Sequence, residues 1–376
     1  MLIKNARIVT PDEEFVGVVR VENGRIDEIS SGTTQARDAE DWDGDYLLPG
    51  FVELHTDNLE KHLGPRPNVT WNAESALLTH DAQVAVAGIT TVFDSLAIGT
   101  RSAIGIRNPE QHYKSAEALT KLTAAELLRV DHYIHLRCEV ATQDIVVLFD
   151  GLCTHPLMRL ASVMDHTPGQ RQWADRDKWR RFSFQDGGIT DEQFAATLAQ
   201  LTDEQRFAEV HRAEVIKRCA ARTIPVMSHD DTSVEHVECA SREGLVISEF
   251  PVTLEAAKAA RTHGLATMLG APNVVRGGSH SGNVSALDLA EEGLLDILSS
   301  DYIPSSLMMA VFELQRKVGW SLPRAIATVS EAPATAVGLN DRGAIKTGLR
   351  ADFVRVRVND NLPVPRATYV LGQRVA

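Results

Sequence analysis

The chain has 376 residues, 44% hydrophobic and 24% charged, enough for a large buried core and ordinary for a soluble globular protein. A formal net charge of −13 gives the surface no general attraction for nucleic acid or anionic membrane, so an anionic ligand would need local Arg, Lys or metal. The four cysteines (Cys138, Cys153, Cys219, Cys239) form no Cys-x-x-Cys pair, and no stretch approaches a membrane span or signal segment, so a reducing cytoplasmic location is the default expectation.

The first segment is strand-like: FVGVVRVENGRIDEIS (15–30) is a β pattern broken by Asn23-Gly24, a two-residue hairpin signal. From 51 onward, strand candidates alternate with helical stretches, at 51–57, 90–96, 132–139, 159–166, 224–229, 245–249, 265–270 and 296–301. Thr190 with Gln193, and Thr202 with Gln205, have capping-box spacing at two helix starts, while Pro304 and Pro323 suit first helical turns. At the end of the chain, DFVRVRV (352–358) places Val354, Val356 and Val358 on one face, and TYVLGQRVA (368–376) reads as a hairpin turning at Gly372-Gln373. Both ends are β and the middle is not. The expectation is an α/β chain in which 1–50 and 340–376 build one small β domain around a (β/α)8 TIM-type barrel at 51–339.

Catalytic side chains in such a barrel sit at the C-terminal ends of the strands. Six ligand-type residues fall there: His55 and Asp57 in ELHTDNLEKH (53–62), Glu139, His166, His229 and Asp301. His55 and Asp57 share a strand face, as do His135, Arg137 and Glu139. Any one of them alone is more often a satisfied polar residue or a helix cap. Six together, three imidazoles and three carboxylates without a thiolate, suit Zn, Mn or Fe as one divalent ion, or two if Glu139 bridges them. Asp94 is expected as a partner to a ligand or equally as a cap, and one of Asp230 and Asp231 as a partner to His229. His80, His132 and His135 read as structural, and Cys138 faces away from Glu139.

These ligands, with APATAVGL (332–339) and GAIKTGLRADF (343–353), resemble the amidohydrolase superfamily across the whole chain. The resemblance implies a metal-dependent hydrolase barrel with a β-sandwich domain. Two departures stand out: Asp57 replaces the second His of a His-x-His, and Glu139 stands where a modified Lys often serves. His166 and His229 also follow the fourth and fifth predicted strands, one earlier than the family pattern. Longer strings, ELHTDNLEKHLGPRPNVTW (53–71), MDHTPGQRQW (164–173), SHDDTSVEH (228–236) and GAPNVVRGGSHSGNVSA (270–286), look like the α-D-ribose 1-methylphosphonate 5-triphosphate diphosphatase family of the carbon–phosphorus lyase pathway.

That resemblance implies removal of pyrophosphate from a phosphorylated ribose, leaving a 5-phosphate, in phosphonate catabolism. The residues accommodate it. A triphosphate carries about four negative charges and needs local cations. Lys61, His62 and Arg66 follow the first strand, and Arg276 and His280 flank a Gly-rich run whose N–H groups could hold phosphate. Each alone is as readily a solvated surface charge. Asp301 is the expected proton acceptor from the attacking water. The partner would be a small molecule, with no nucleic acid and no membrane; a homo-oligomer stays open. Two alternatives remain: an amidohydrolase acting on a cyclic amide, N-acyl amino acid or aminopurine, and an inactive barrel serving as a scaffold.

Overall fold

The computed structural model describes residues 1–99, 106–183, 190–279 and 282–376, and shows two sheets. The first contains β1 (Leu2–Val9), β2 (Glu14–Glu22), β3 (Arg25–Ser31), β4 (Glu40–Asp41) and β5 (Tyr46–Pro49), together with three C-terminal strands. The second is parallel and runs in sequence order through β6 (Phe51–Thr56), β7 (Ile89–Ile98), β8 (Asp131–Glu139), β9 (Met158–Met164), β10 (Val226–His229), β11 (Ile247–Glu249), β12 (Ala266–Gly270) and β13 (Ile297–Ser299). The C-terminal strands β14 (Phe353–Asn359), β15 (Leu362–Val370) and β16 (Gln373–Arg374) return to the first sheet, where β14 pairs with β5.

The eight expected barrel strands are all present, and the described residues of 167–223 add none. His166 and His229 therefore do follow the fourth and fifth strands. The barrel closes through a parallel bridge from Thr56 to Asp301. Buried Phe93, Leu160, Met227, Ile247, Met268 and Ile297 form one apolar cluster. Each lies two residues before the next position on the same strand face: Ser95, Ser162, His229, Glu249, Gly270 and Ser299. The barrel is thus plugged with apolar side chains below and polar above, which fixes where chemistry can occur.

The terminal sheet wraps into a sandwich over Trp42, which is fully buried against Phe353 and Tyr369 with ring centroids 5.9 and 6.1 Å away. The β2–β3 hairpin meets the segment before β14, where Ile26 N–H donates to Leu349 O and Ala351 N–H to Gly24 O, both at 2.9 Å. Asn23 and Gly24 both take positive φ, 49° and 74°, as a tight hairpin with the twist of its strands requires. The last hairpin turns at Leu371-Gly372, one residue before the expected place. Gly50 carries the chain from sandwich to barrel so close to Thr90 that a Cβ would collide with it.

Local helix signals fared unevenly. Thr190 and Gln193 form the expected capping box. Thr202 does not start a helix. It lies inside the helix Asp191–Glu204 and its hydroxyl donates back to Leu198 O at 2.7 Å, an alternative partner that the sequence pattern does not exclude. Pro323 occupies a first helical turn, whereas Pro304 lies in the turn before the helix Ser306–Val318.

Candidate active site

A cavity of about 180 Å³ opens at the C-terminal face of the barrel. His55, Arg137, His166, His229, Asp230 and Asp301 line it, with Arg276, Asn273 and Tyr302 on one flank and Phe250, Leu269 and Pro272 as the apolar part.

Glu249, fully buried at the end of β11, organises the floor. Its Oε1 lies 2.5 Å from His55 Nδ1 and its Oε2 lies 2.5 Å from His229 Nδ1. Burial opposes its charge, but the two imidazoles hold the carboxyl well below the usual range. A carboxylate accepting both Nδ1–H bonds sets both tautomers, so both Nε2 atoms are left as ligands. Glu139 does the same for His166: one carboxylate oxygen lies 2.7 Å from His166 Nδ1 and the other accepts the His166 N–H at 2.9 Å. Burial disfavours a charged His166, yet Glu139 and then Asp230 raise its pKa to about 10.

Two donor groups result. On one wall, Asp230 Oδ2 faces His166 Nε2 at 3.5 Å and His229 Nε2 at 3.6 Å, buried and without a hydrogen-bond partner. On the other, His55 Nε2 lies 3.8 Å from Asp57 Oδ1, and Asp301 completes the cluster. Asp57 also accepts from Arg137 Nη1 at 2.8 and 3.0 Å, with Arg107 3.5 Å away. Burial would raise its pKa, but Arg137, His55 and Arg107 bring it down to about 2.

The backbone explains how Asp230 reaches its wall. Residues just past three strand ends adopt left-handed φ without being glycine: Asp230 and Phe250 directly after β10 and β11, at 55° and 53°, and Asp301 two residues after β13, at 55°. Their N–H groups still extend the ladders, to Glu249 O, Met268 O and His55 O respectively. Strict alternation would turn Asp230 away from His229. The left-handed residue brings it back, at a cost on the order of 1–2 kcal/mol, of the kind found at functional sites.

No family model matches the chain. The alpha-D-ribose 1-methylphosphonate 5-triphosphate diphosphatase of Escherichia coli (strain K12) is 43% identical over 368 residues, covering 96% of this chain and 96% of that protein. The chain belongs to this diphosphatase family. Among solved structures, a 5-methylcytosine deaminase from Klebsiella pneumoniae liganded with 5-fluorocytosine has a TM-score of 0.67 at 12% identity, covering 100% of this chain and 97% of that one. An N-acetylglucosamine-6-phosphate deacetylase from Pasteurella multocida has a TM-score of 0.64 at 11% identity, covering 99% and 98%. These likenesses carry the fold: the barrel-and-sandwich architecture of the amidohydrolases.

Within this family member, the predicted site residues separate. His55, His166, His229 and Asp301 reach the cavity, and Asp57 Oδ1 lies 3.8 Å from His55 Nε2. Glu139 takes up His166 with both oxygens. Of the basic residues, Arg276 lines the cavity. Lys61 is exposed and donates to Tyr302 O, with its ammonium 5.5 Å from that ring. His62 Nε2 turns to Gln83 at 2.9 Å, and Arg66 is exposed, where its backbone pairs with Val69. His280 lies outside the described residues.

Sequence reasoning missed Glu249, although it ends a predicted strand and the same rule would have selected it. It took one of Asp230 and Asp231 for a supporting residue without separating them, because left-handed backbone leaves no mark in the pattern. Asp94 is neither a cap nor a partner to these ligands. It is buried between His80 Nε2 at 2.8 Å and His132 Nδ1 at 2.7 Å, and His80 Nδ1 in turn lies 3.0 Å from Asn58 Nδ2. His135 is buried between Ser95 and Ser162, and burial pushes its pKa down to about 3.

Proposed function

We propose that this chain hydrolyses alpha-D-ribose 1-methylphosphonate 5-triphosphate to the 5-phosphate and pyrophosphate, using a divalent metal ion. The observation that carries the reading is identity of 43% across nearly the full length of a diphosphatase of that name. The cavity supplies physical support, with imidazole and carboxylate donors on its walls and an arginine on the flank.

The donors fit a divalent ion. Two Nε2 atoms converge on a buried carboxylate oxygen that no hydrogen bond satisfies, and both ring orientations are held by carboxylates behind them. His166, His229 and Asp230 would hold the ion, with His55 and Asp301 opposite. Zinc is the first choice for nitrogen and oxygen donors of this kind, with manganese or iron as alternatives. Such an ion, when bound, polarises a phosphoryl oxygen and acidifies water.

The protein's own groups do the rest. Asp301 takes the proton of the attacking water as its oxygen bonds to the α-phosphorus and the bond to pyrophosphate breaks. Arg276, at the end of the helix Ala271–Arg276, holds the departing phosphates. Phe250, Leu269 and Pro272 limit bulk water on the apolar side.

We assign 1–50 with 340–376 to the sandwich and 51–339 to the barrel, in keeping with the two sheets. The substrate is a small molecule, with no part for nucleic acid, and the cytoplasm suits four free cysteines. None of the helices among the described residues is long and apolar enough to cross a membrane.

The test is a metal-reconstituted assay on a 5-triphosphorylated ribose compound, scored separately for pyrophosphate, phosphate and, with aminopurines, ammonia. Pyrophosphate release is expected. Phosphate alone, or ammonia in its place, refutes the reading.

A further inference from the structure

The two walls of the cavity are not alike in charge. On the His166, His229 and Asp230 wall, Arg171 is engaged elsewhere, its Nη1 donating to His229 O at 2.7 Å and Asp231 Oδ1 at 2.8 Å, and no arginine among the described residues hydrogen-bonds Asp230 Oδ2. The His55, Asp57 and Asp301 wall already contains one. Arg137 points into the lumen from β8, two residues before Glu139, is 8% exposed, and lines the cavity. Its Nη1 binds both oxygens of Asp57 at 2.8 and 3.0 Å, and its Nε is buried with no hydrogen-bond partner.

Arg137 is not placed to swing away. Its backbone sits in register with Ala97 on one side and Ser162 on the other, in the middle of the barrel sheet. Arg107 adds a second guanidinium 3.5 Å from the other face of Asp57 and is itself held by Glu60 at 2.7 Å. A divalent ion bound to Asp57 would have to share that carboxylate with two permanent cations. Guanidinium, unlike an ion, cannot be lost, and its planar fork suits the oxygens of a phosphoryl group.

We infer that Arg137 is a catalytic residue standing where a second ion would sit. Its guanidinium contacts the phosphoryl group under attack, and the protein takes up one tight divalent ion, at His166, His229 and Asp230. Phosphoryl transfer needs positive charge on both sides of the reacting phosphorus, and here one side is metal and the other is fixed protein. Asp57, the residue that departs from a His-x-His, serves to anchor the arginine. This inference rests on the hydrolytic reading above.

The test uses the full chain, stripped with chelator, reloaded with zinc and freed of excess, with metal per chain measured by elemental analysis. Wild type is expected to retain one equivalent and release pyrophosphate. Arg137→Met is expected to lose about 100-fold in kcat and to retain a second equivalent, because Asp57 is released to bind it. Arg137→Met with Asp57→Asn removes the stranded charge as well, so that folding is preserved, and should return to one equivalent with kcat still low. Added guanidinium should restore part of the turnover of Arg137→Ala. Two equivalents in wild type with pyrophosphate released, or unchanged kcat in Arg137→Met, overturn this inference and leave the functional reading standing. Failure of the wild type to retain metal or release pyrophosphate overturns both.

Discussion

Replacing Glu249 by Gln tests how the floor of the site works. The carboxylate accepts from both His55 Nδ1 and His229 Nδ1 at 2.5 Å, in full burial. Gln keeps one accepting oxygen and turns an N–H2 toward the other ring. One imidazole stays as it is. The other must place its proton on Nε2 to accept at Nδ1, and so ceases to be a ligand. A hydrogen bond to an ionised group contributes about 1.5–3 kcal/mol, and loss of such support lowers metal affinity about 10–100-fold. The expected result is weaker zinc binding by about 100-fold, the upper end, because the tautomer itself is lost. Competition against a chromophoric chelator reads the affinity, with far-UV circular dichroism to confirm that the variant is folded. An affinity within about threefold of wild type would mean that Glu249 does not set these tautomers.

Asp301→Asn should keep its metal and lose about 100-fold or more in kcat, measured by pyrophosphate release, since only the proton acceptor changes. Arg276→Ala should raise KM for the triphosphate about 10-fold or more while kcat falls less, because it removes charge-assisted contact with the phosphates. Trp42→Ala should destabilise the sandwich by about 3–5 kcal/mol, seen as a lower Tm, and leave metal content unchanged. The buried His132 gives a pH prediction. Burial opposes its charge, but Asp94 and Asp81 raise its pKa from 6.5 to about 9. A raised folded pKa gives stability that is complete below pH 6.5 and lost as pH rises through about 9, on the order of 3 kcal/mol. His132→Gln should flatten unfolding free energy across that window, measured by urea titration at a series of pH values.

The fold was legible because its signals are local and repeated. Each barrel strand is a short apolar run with a polar end, and Asn23-Gly24 needs only two residues to specify its turn. His55, His166, His229 and Asp301 could be placed for the same reason, since residues at or just past a strand's C-terminal end lie at the mouth. What was hidden depends on relations between distant residues. Glu139 and Glu249 are indistinguishable in sequence from ligands, and only their distances to ring Nδ1 atoms show them holding imidazoles. Arg137 was noticed as a neighbour of Glu139, but its contact with Asp57 comes from a different strand. Asp230 depends on one backbone angle. His62 and Arg66 were drawn toward phosphate by proximity in the chain, whereas the helix Asn58–Leu63 carries His62 round to Gln83.

The seam between β6 and β13 has a consequence for synthesis. Thr56 and Asp301, whose backbones close the barrel, stand 245 positions apart. On the ribosome His55 emerges long before Asp301, and β5 emerges long before β14, its partner in the sandwich. Both sheets therefore wait for the far end of the chain, and contacts of such separation form late. A truncated copy holds scattered imidazoles but no closed ring to set them in. The geometry needed for hydrolysis belongs to the finished polypeptide.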